Sequence, residues 1–223
     1  MNKIILAFCI AIASASCTTQ KVVRPLQEGE QQISGNLGGP LIGFAGTVIP
    51  IPLTSVNYAR GLSDSLSIHG GLQTTSLLYK TLQVDAGATY GFLKPDGWKP
   101  GLSASASLNF LSDFREGNPK LYPQIDANAY WDYGTDNFMY LGVTNWIEFS
   151  KTMADGQEQR KHVLSGIQFG NTFSTEKWNY TIESKWLAPT RNTTNLVVDY
   201  RTYKFSGESK GAVGVYIGIA RKF

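Results

Sequence analysis

Chemistry that depends on an imidazole has two places to occur in these 223 residues, His69 and His162. His162 follows Lys161 at the edge of a polar stretch and reads as a solvated side chain. His69 lies in Ser65 to Gln73, where Leu66, Ile68 and Leu72 share one parity. On a strand that period of two puts the three on one face and His69 on the other. A hairpin closing about Leu77 would set Asp85 opposite His69. A tight turn centred on Leu62 would set Ser55 opposite it on the other side. Ser55, His69 and Asp85 would then form a lateral row with the types of a nucleophile, a base and an orienting carboxylate. The plainer reading, which we prefer, is that polar side chains on one face satisfy each other across strands without catalysing anything. The catalytic row assumes two registers, and a slip by one residue turns a side chain to the opposite face.

The polar faces also carry Asp126, Asp132, Glu148, Glu183, Lys185 and Lys222. Charge in a narrow interior is costly unless paired, so these six are expected to close the interior as a salt-bridged network. The alternative is a selectivity lining for a small pore. The sequence has no GxGxxG, Walker loop, HExxH, CxxC or GxSxG pattern, and neither a cofactor nor a metal site is expected. The net charge is +3 and the basic residues do not cluster, so nucleic acid is not an expected partner.

The elements that would hold these residues are long alternating strands. In Thr81 to Phe92, the residues Leu82, Val84, Ala86, Ala88, Tyr90 and Phe92 oppose Gln83, Asp85, Gly87, Thr89 and Gly91. The same pattern recurs in Gly101 to Phe110, Leu121 to Tyr133, Phe138 to Phe149, Val163 to Phe173, Trp178 to Leu187 and the last segment, Ala212 to Phe223. Segments of about 9 to 13 residues suit tilted strands crossing a bilayer. Charged residues make up 17% of the chain, below the soluble average of about 25%. The polar faces hold Ser, Asn, Gln, Gly and Asp, which suit a wet interior better than the greasy cup of a lipocalin-like barrel. The expected fold is an all-β, closed antiparallel transmembrane β-barrel of about 10 strands, with 8 or 12 as alternatives. Leu196 to Phe205 alternates weakly and is assigned to a loop, because an even strand number keeps both termini on one side. Short turns at Gly61 to Asp64, Lys94 to Gly97, Tyr133 to Asn137 and Ser174 to Lys177 would face one side. Longer loops at Gly39 to Pro52, Ser112 to Lys120, Lys151 to Lys161 and Ala188 to Lys210 would face the other.

The N-terminus divides into three parts. Residues 1–16 read as a signal peptide, with Lys3 before the apolar run Ile4 to Ile12. Ala13-Ser14-Ala15-Ser16-Cys17 resembles a bacterial lipoprotein signal with lipidation at Cys17, departing from it in Ser14 where a Leu is usual; ordinary cleavage after Ala15 is the rival. Cys9 lies in the apolar run and is discarded either way, so no intrachain disulfide is expected. Residues 17–30 read as a polar periplasmic tether, and 31–223 as the barrel.

With its terminal Phe223 on an alternating last strand, the chain as a whole resembles the small bacterial outer-membrane β-barrel proteins. That resemblance implies residence in the bacterial outer membrane, contact with outer-membrane lipid and recognition of the C-terminal strand by the barrel-assembly machinery. The expected function is that of an integral outer-membrane barrel with a structural or interaction role, or a narrow solute path. Two alternatives stay open. One is a membrane-embedded lipid-modifying hydrolase using Ser55, His69 and Asp85, since small outer-membrane barrels include acyl-transferring and deacylating enzymes. The other is a surface adhesin or receptor acting through the long outer loops, for an extracellular ligand the sequence does not specify.

Overall fold

The computed structural model describes residue 19 and residues 21–115, 117, 119–151, 158–159, 162–193, 200–205 and 208–223. Cys17 and the signal segment lie outside the described residues, as do much of the Lys151 to Lys161 loop and part of the Ala188 to Lys210 loop.

Among the described residues twelve strands follow in chain order: β1 (Gln31–Phe44), β2 (Thr47–Pro50), β3 (Leu53–Ser63), β4 (Leu66–Gln73), β5 (Thr81–Leu93), β6 (Gly101–Asp113), β7 (Lys120–Tyr133), β8 (Asn137–Ile147), β9 (Val163–Ser174), β10 (Trp178–Asn192), β11 (Tyr203–Phe205) and β12 (Glu208–Lys222). Ten of them form the wall: β1, β3 to β10 and β12, each antiparallel to the next. The last strand closes on the first through nine residue pairs, from Gln32–Lys222 to Pro40–Gly214. The molecule is thus a closed antiparallel 10-strand β-barrel.

The alternation decides which face looks out. Leu141, Ile125 and Ile217 are each 50% exposed, whereas Thr89 and Gln168 are 0% exposed. A water-soluble barrel would bury the former set; a wall set in lipid exposes it. Strand lengths of 8 to 15 residues in the wall fit the same reading. Among the described residues no helix is long and apolar enough to cross a membrane.

Several connections differ from expectation. Gly39 to Pro52 is not an open loop: β1 continues to Phe44, turns at Ala45 and Gly46, and returns as β2. Ala45 and Gly46 both have positive φ, 48° and 81°, which closes the chain within two residues. The connection about Leu77 is a single helical turn, α1 (Thr74–Leu78). At the far end β10 runs on to Asn192, and β11 pairs with β12, through Tyr203–Lys210 to Phe205–Glu208. That short hairpin leaves the wall even-numbered. The links β3–β4, β5–β6, β7–β8 and β9–β10 therefore share a side with the start of β1 and the end of β12; this is the short-turn side below.

Candidate functional site

The lumen is occupied by the chain's own N-terminal segment. Residues 17–30 were expected as a periplasmic tether, but the described part packs against the inner wall. Ser103 donates its hydroxyl to the Val23 carbonyl at 2.6 Å, and the Leu26 N–H donates to Ser67 Oγ at 2.8 Å. The Thr89 hydroxyl donates to the Val22 carbonyl at 3.3 Å. Val22 and Leu26 bury against Ala59, and Val23 against Tyr130, Phe138 and Tyr140. Arg24 reaches Asp132 at 3.1 Å and lies over the Phe138 ring at 4.8 Å. Deeper in, Lys21 forms a buried ion pair with Asp85, and the Thr19 hydroxyl donates to Asn36 Oδ1 at 2.6 Å. The physical reason is satisfaction: extended backbone finds hydroxyls on the wall, and three valine or leucine side chains leave water.

Lumen-facing glycines make the groove. A Cβ at Gly61 would sit 2.0 Å from the Gln27 carbonyl oxygen, one at Gly91 would sit 3.0 Å from Pro25, and one at Gly71 would sit 2.9 Å from Lys21 Nζ. These strand positions let a second backbone approach the wall.

The register separates the three residues of the catalytic row. Ser55 pairs with Gln73, His69 with Ala59 and Gly87, and Asp85 with Gly71 and Asn109. All three face the lumen and are buried, as their parity required. Yet Asp85 is taken by Lys21, and Ser55 Oγ accepts from the Asn36 and Asn57 amides at 3.2 and 3.3 Å. Neither His69 ring nitrogen has a hydrogen-bond partner among the described residues. The slips are of four and two residues, even numbers that keep each side chain inside while breaking the row.

Glu183, Lys185 and Asp126 are buried in the wall. Glu183 accepts from the Tyr140 hydroxyl and pairs with Lys185 at 3.1 Å. Lys185 also lies over the Tyr216 ring at 5.3 Å. Asp126 accepts from the Gln124 amide at 3.0 and 2.9 Å. Asp132 is at the short-turn mouth with Arg24, and Lys222 lines the same mouth half-buried. Glu148 lies just past the end of β8, where its carboxylate accepts the Ser150 N–H at 2.8 Å.

The segment does not fill the barrel. A cavity of about 1060 Å³ remains between it and the β8–β9–β10–β12–β1 wall, lined by Gln32, Thr172, Asn179 and Lys222. It reaches the short-turn mouth, where Asp136 and Glu176 also line it. Tyr140 lines it too, and its hydroxyl donates to the buried Glu183, which pairs with Lys185.

No protein-family model matches the sequence, and neither does any curated protein. Among solved structures, the chain is similar to an outer membrane channel from Pseudomonas putida F1. The identity is 10% and the TM-score 0.51, over 92% of this chain and 99% of that one. The fold is that of an outer-membrane β-barrel. The barrel also matches the outer membrane protein OprG of Pseudomonas aeruginosa, at 12% identity and a TM-score of 0.33, over 90% of this chain and 99% of that one. A third match is the N-terminal β-barrel domain of OprF from the same organism, at 11% identity and a TM-score of 0.33, over 89% and 100%. The likeness at these identities is one of architecture.

Proposed function

We propose that this integral outer-membrane barrel is a narrow solute path held shut by its own N-terminal segment. The observation that carries the reading is the packing of residues 21–30 inside the wall, with Lys21 paired to Asp85. A wall of ten strands encloses a narrow lumen, and the extended segment seated along it takes up much of that width. The cavity beside the segment gives a solute a way in from the short-turn side as far as Tyr140. The similar Pseudomonas putida protein is described as a channel, which agrees with a path rather than a purely structural barrel. In planar bilayers the intact protein is expected to be electrically silent, and removal of residues 18–30 to produce steady conductance. Steady channels from the intact protein, or silence after the removal, contradict the proposal.

The leader is part of the same reading. Cleavage before Cys17 and acylation of that thiol agree with the small residues preceding it. Thr19 lies inside the lumen, so an acyl chain two residues earlier would act directly on the seating of the segment. Intact-mass measurement of the mature protein is expected to show a diacylglyceryl addition on Cys17. An unmodified chain beginning at Ser16 contradicts it.

A further inference from the structure

We propose that Arg60 and Arg221 form a binding site for the phosphate of an anionic glycerophospholipid on the outer wall, across the seam where β12 closes on β1. Below the irregular ends of β1, β10 and β12, past Pro40, Leu187 and Ala212, the outward-facing strand positions carry two charged side chains among the described residues. Both are arginines, and both are exposed. The rest of that face is apolar or uncharged, with Ile33, Tyr58, Ile217 and Ile219 as neighbours.

The two cations are brought together by register. Arg60 of β3 pairs with Gln31 of β1, and Arg221 of β12 pairs with Ile33 of β1. Two strand spacings and an offset of two residues set their Cα atoms about 12 Å apart, within converging reach of two arginine side chains. Arg221 lies 5.8 Å from the Trp178 ring centroid and 5.0 Å from that of Phe223, which holds its guanidinium beside the aromatic border. Between the arginines, the Tyr58 hydroxyl donates to Gln31 Oε1 at 2.9 Å, orienting that side chain so that its amide N–H groups remain available to an acceptor. No carboxylate lies within ion-pair distance of either arginine among the described residues.

Charge complementarity picks the occupant. The pair sits at the short-turn end of the apolar belt, at the level of the headgroups, where the anionic groups a lipid offers are phosphates. Guanidinium forks match phosphate oxygens in pairs, and the Trp and Phe rings suit the glycerol and upper acyl region. In the usual barrel orientation the short-turn side meets the leaflet built of glycerophospholipids. The site needs neither a solute path nor a seated N-terminal segment.

The test uses the full mature chain reconstituted in phosphatidylcholine vesicles with spin-labelled phosphatidylglycerol or spin-labelled phosphatidylcholine as the probe. The wild type is expected to restrict phosphatidylglycerol several-fold more than phosphatidylcholine. Arg60→Gln with Arg221→Gln should bring the ratio close to unity, and each single variant should give an intermediate value. Lys94→Gln, which removes an exposed cation on the same side but off the outward wall, should leave the preference intact. Heat-modifiable gel mobility reports that the variants are folded. A preference that survives the double substitution, falls equally with Lys94→Gln, or is absent from the wild type overturns the site. Displacement of the probe by lipid A but not by unlabelled phosphatidylglycerol overturns the assigned lipid.

Discussion

Lys21 and Asp85 decide what the lumen can do, because neither charge is stable there without the other. Removing one partner of a buried pair typically costs about 3–5 kcal/mol, as the remaining charge stays desolvated. Here the cost can be relieved by withdrawing the segment and admitting water to Asp85. Lys21→Met and Asp85→Asn are therefore each expected to give open channels in planar bilayers, while the two substitutions together should restore most of the silence. Silent single variants would show that the ion pair does not hold the segment. Lys21 was not legible as a lumen residue in the sequence, where it stands in a short polar stretch without periodicity. One signal was present: among the described residues the buried wall carries Asp85, Asp126 and Glu183 with one lysine, Lys185, an acidic excess that suits a cation brought in by another segment. The catalytic row failed for a related reason. Alternation tells which face a side chain takes, but Ser55, His69 and Asp85 keep that face under any even slip.

Among the strands, a recurrent device sets the shape of the lumen. Tyr130 of β7 pairs with Gly101 of β6, and Tyr140 of β8 pairs with Gly170 of β9. A Cβ at Gly101 or Gly170 would lie 2.3 Å from the partner tyrosine ring, so each ring lies flat over a bare backbone. That posture is what brings the Tyr140 hydroxyl to Glu183. Gly170→Val should lift the ring, break that hydrogen bond and cost about 1–3 kcal/mol, as overpacked sites do. The expected readout is a lower urea midpoint for heat-modifiable mobility; an unchanged midpoint would contradict the account of the ring. The strands themselves were readable from Leu82 to Phe92, from Leu102 to Phe110 and in the last segment, because one face had to meet lipid and the other water. Their extensions were not. Residues such as Leu41 to Phe44 and Thr47 to Pro50 form a hairpin above the wall, where both faces are partly solvated and alternation loses its cause.

For the whole molecule, the direction of the apolar faces governs everything else: it makes the wall a membrane wall, leaves a polar lumen for the N-terminal segment and isolates Arg60 and Arg221 at the rim. A charge on the lipid face costs about 2–4 kcal/mol at the bilayer midplane and about 0–1 near the interface, which agrees with two arginines at the edge and, among the described residues, none in the middle. The closed ten-strand architecture was legible because length, alternation and turn chemistry all point the same way. The occupant of the lumen was not, since a segment that borrows its partners from the wall carries little pattern of its own.

The most direct measurement is the behaviour of the mature protein, freed of leader and any acyl group, when detergent is removed. With Leu141, Ile125 and Ile217 half-exposed along with their neighbours, sedimentation should show a folded monomer in detergent and only aggregate in plain buffer. A folded monomer that persists without detergent would mean the apolar faces are not built for lipid.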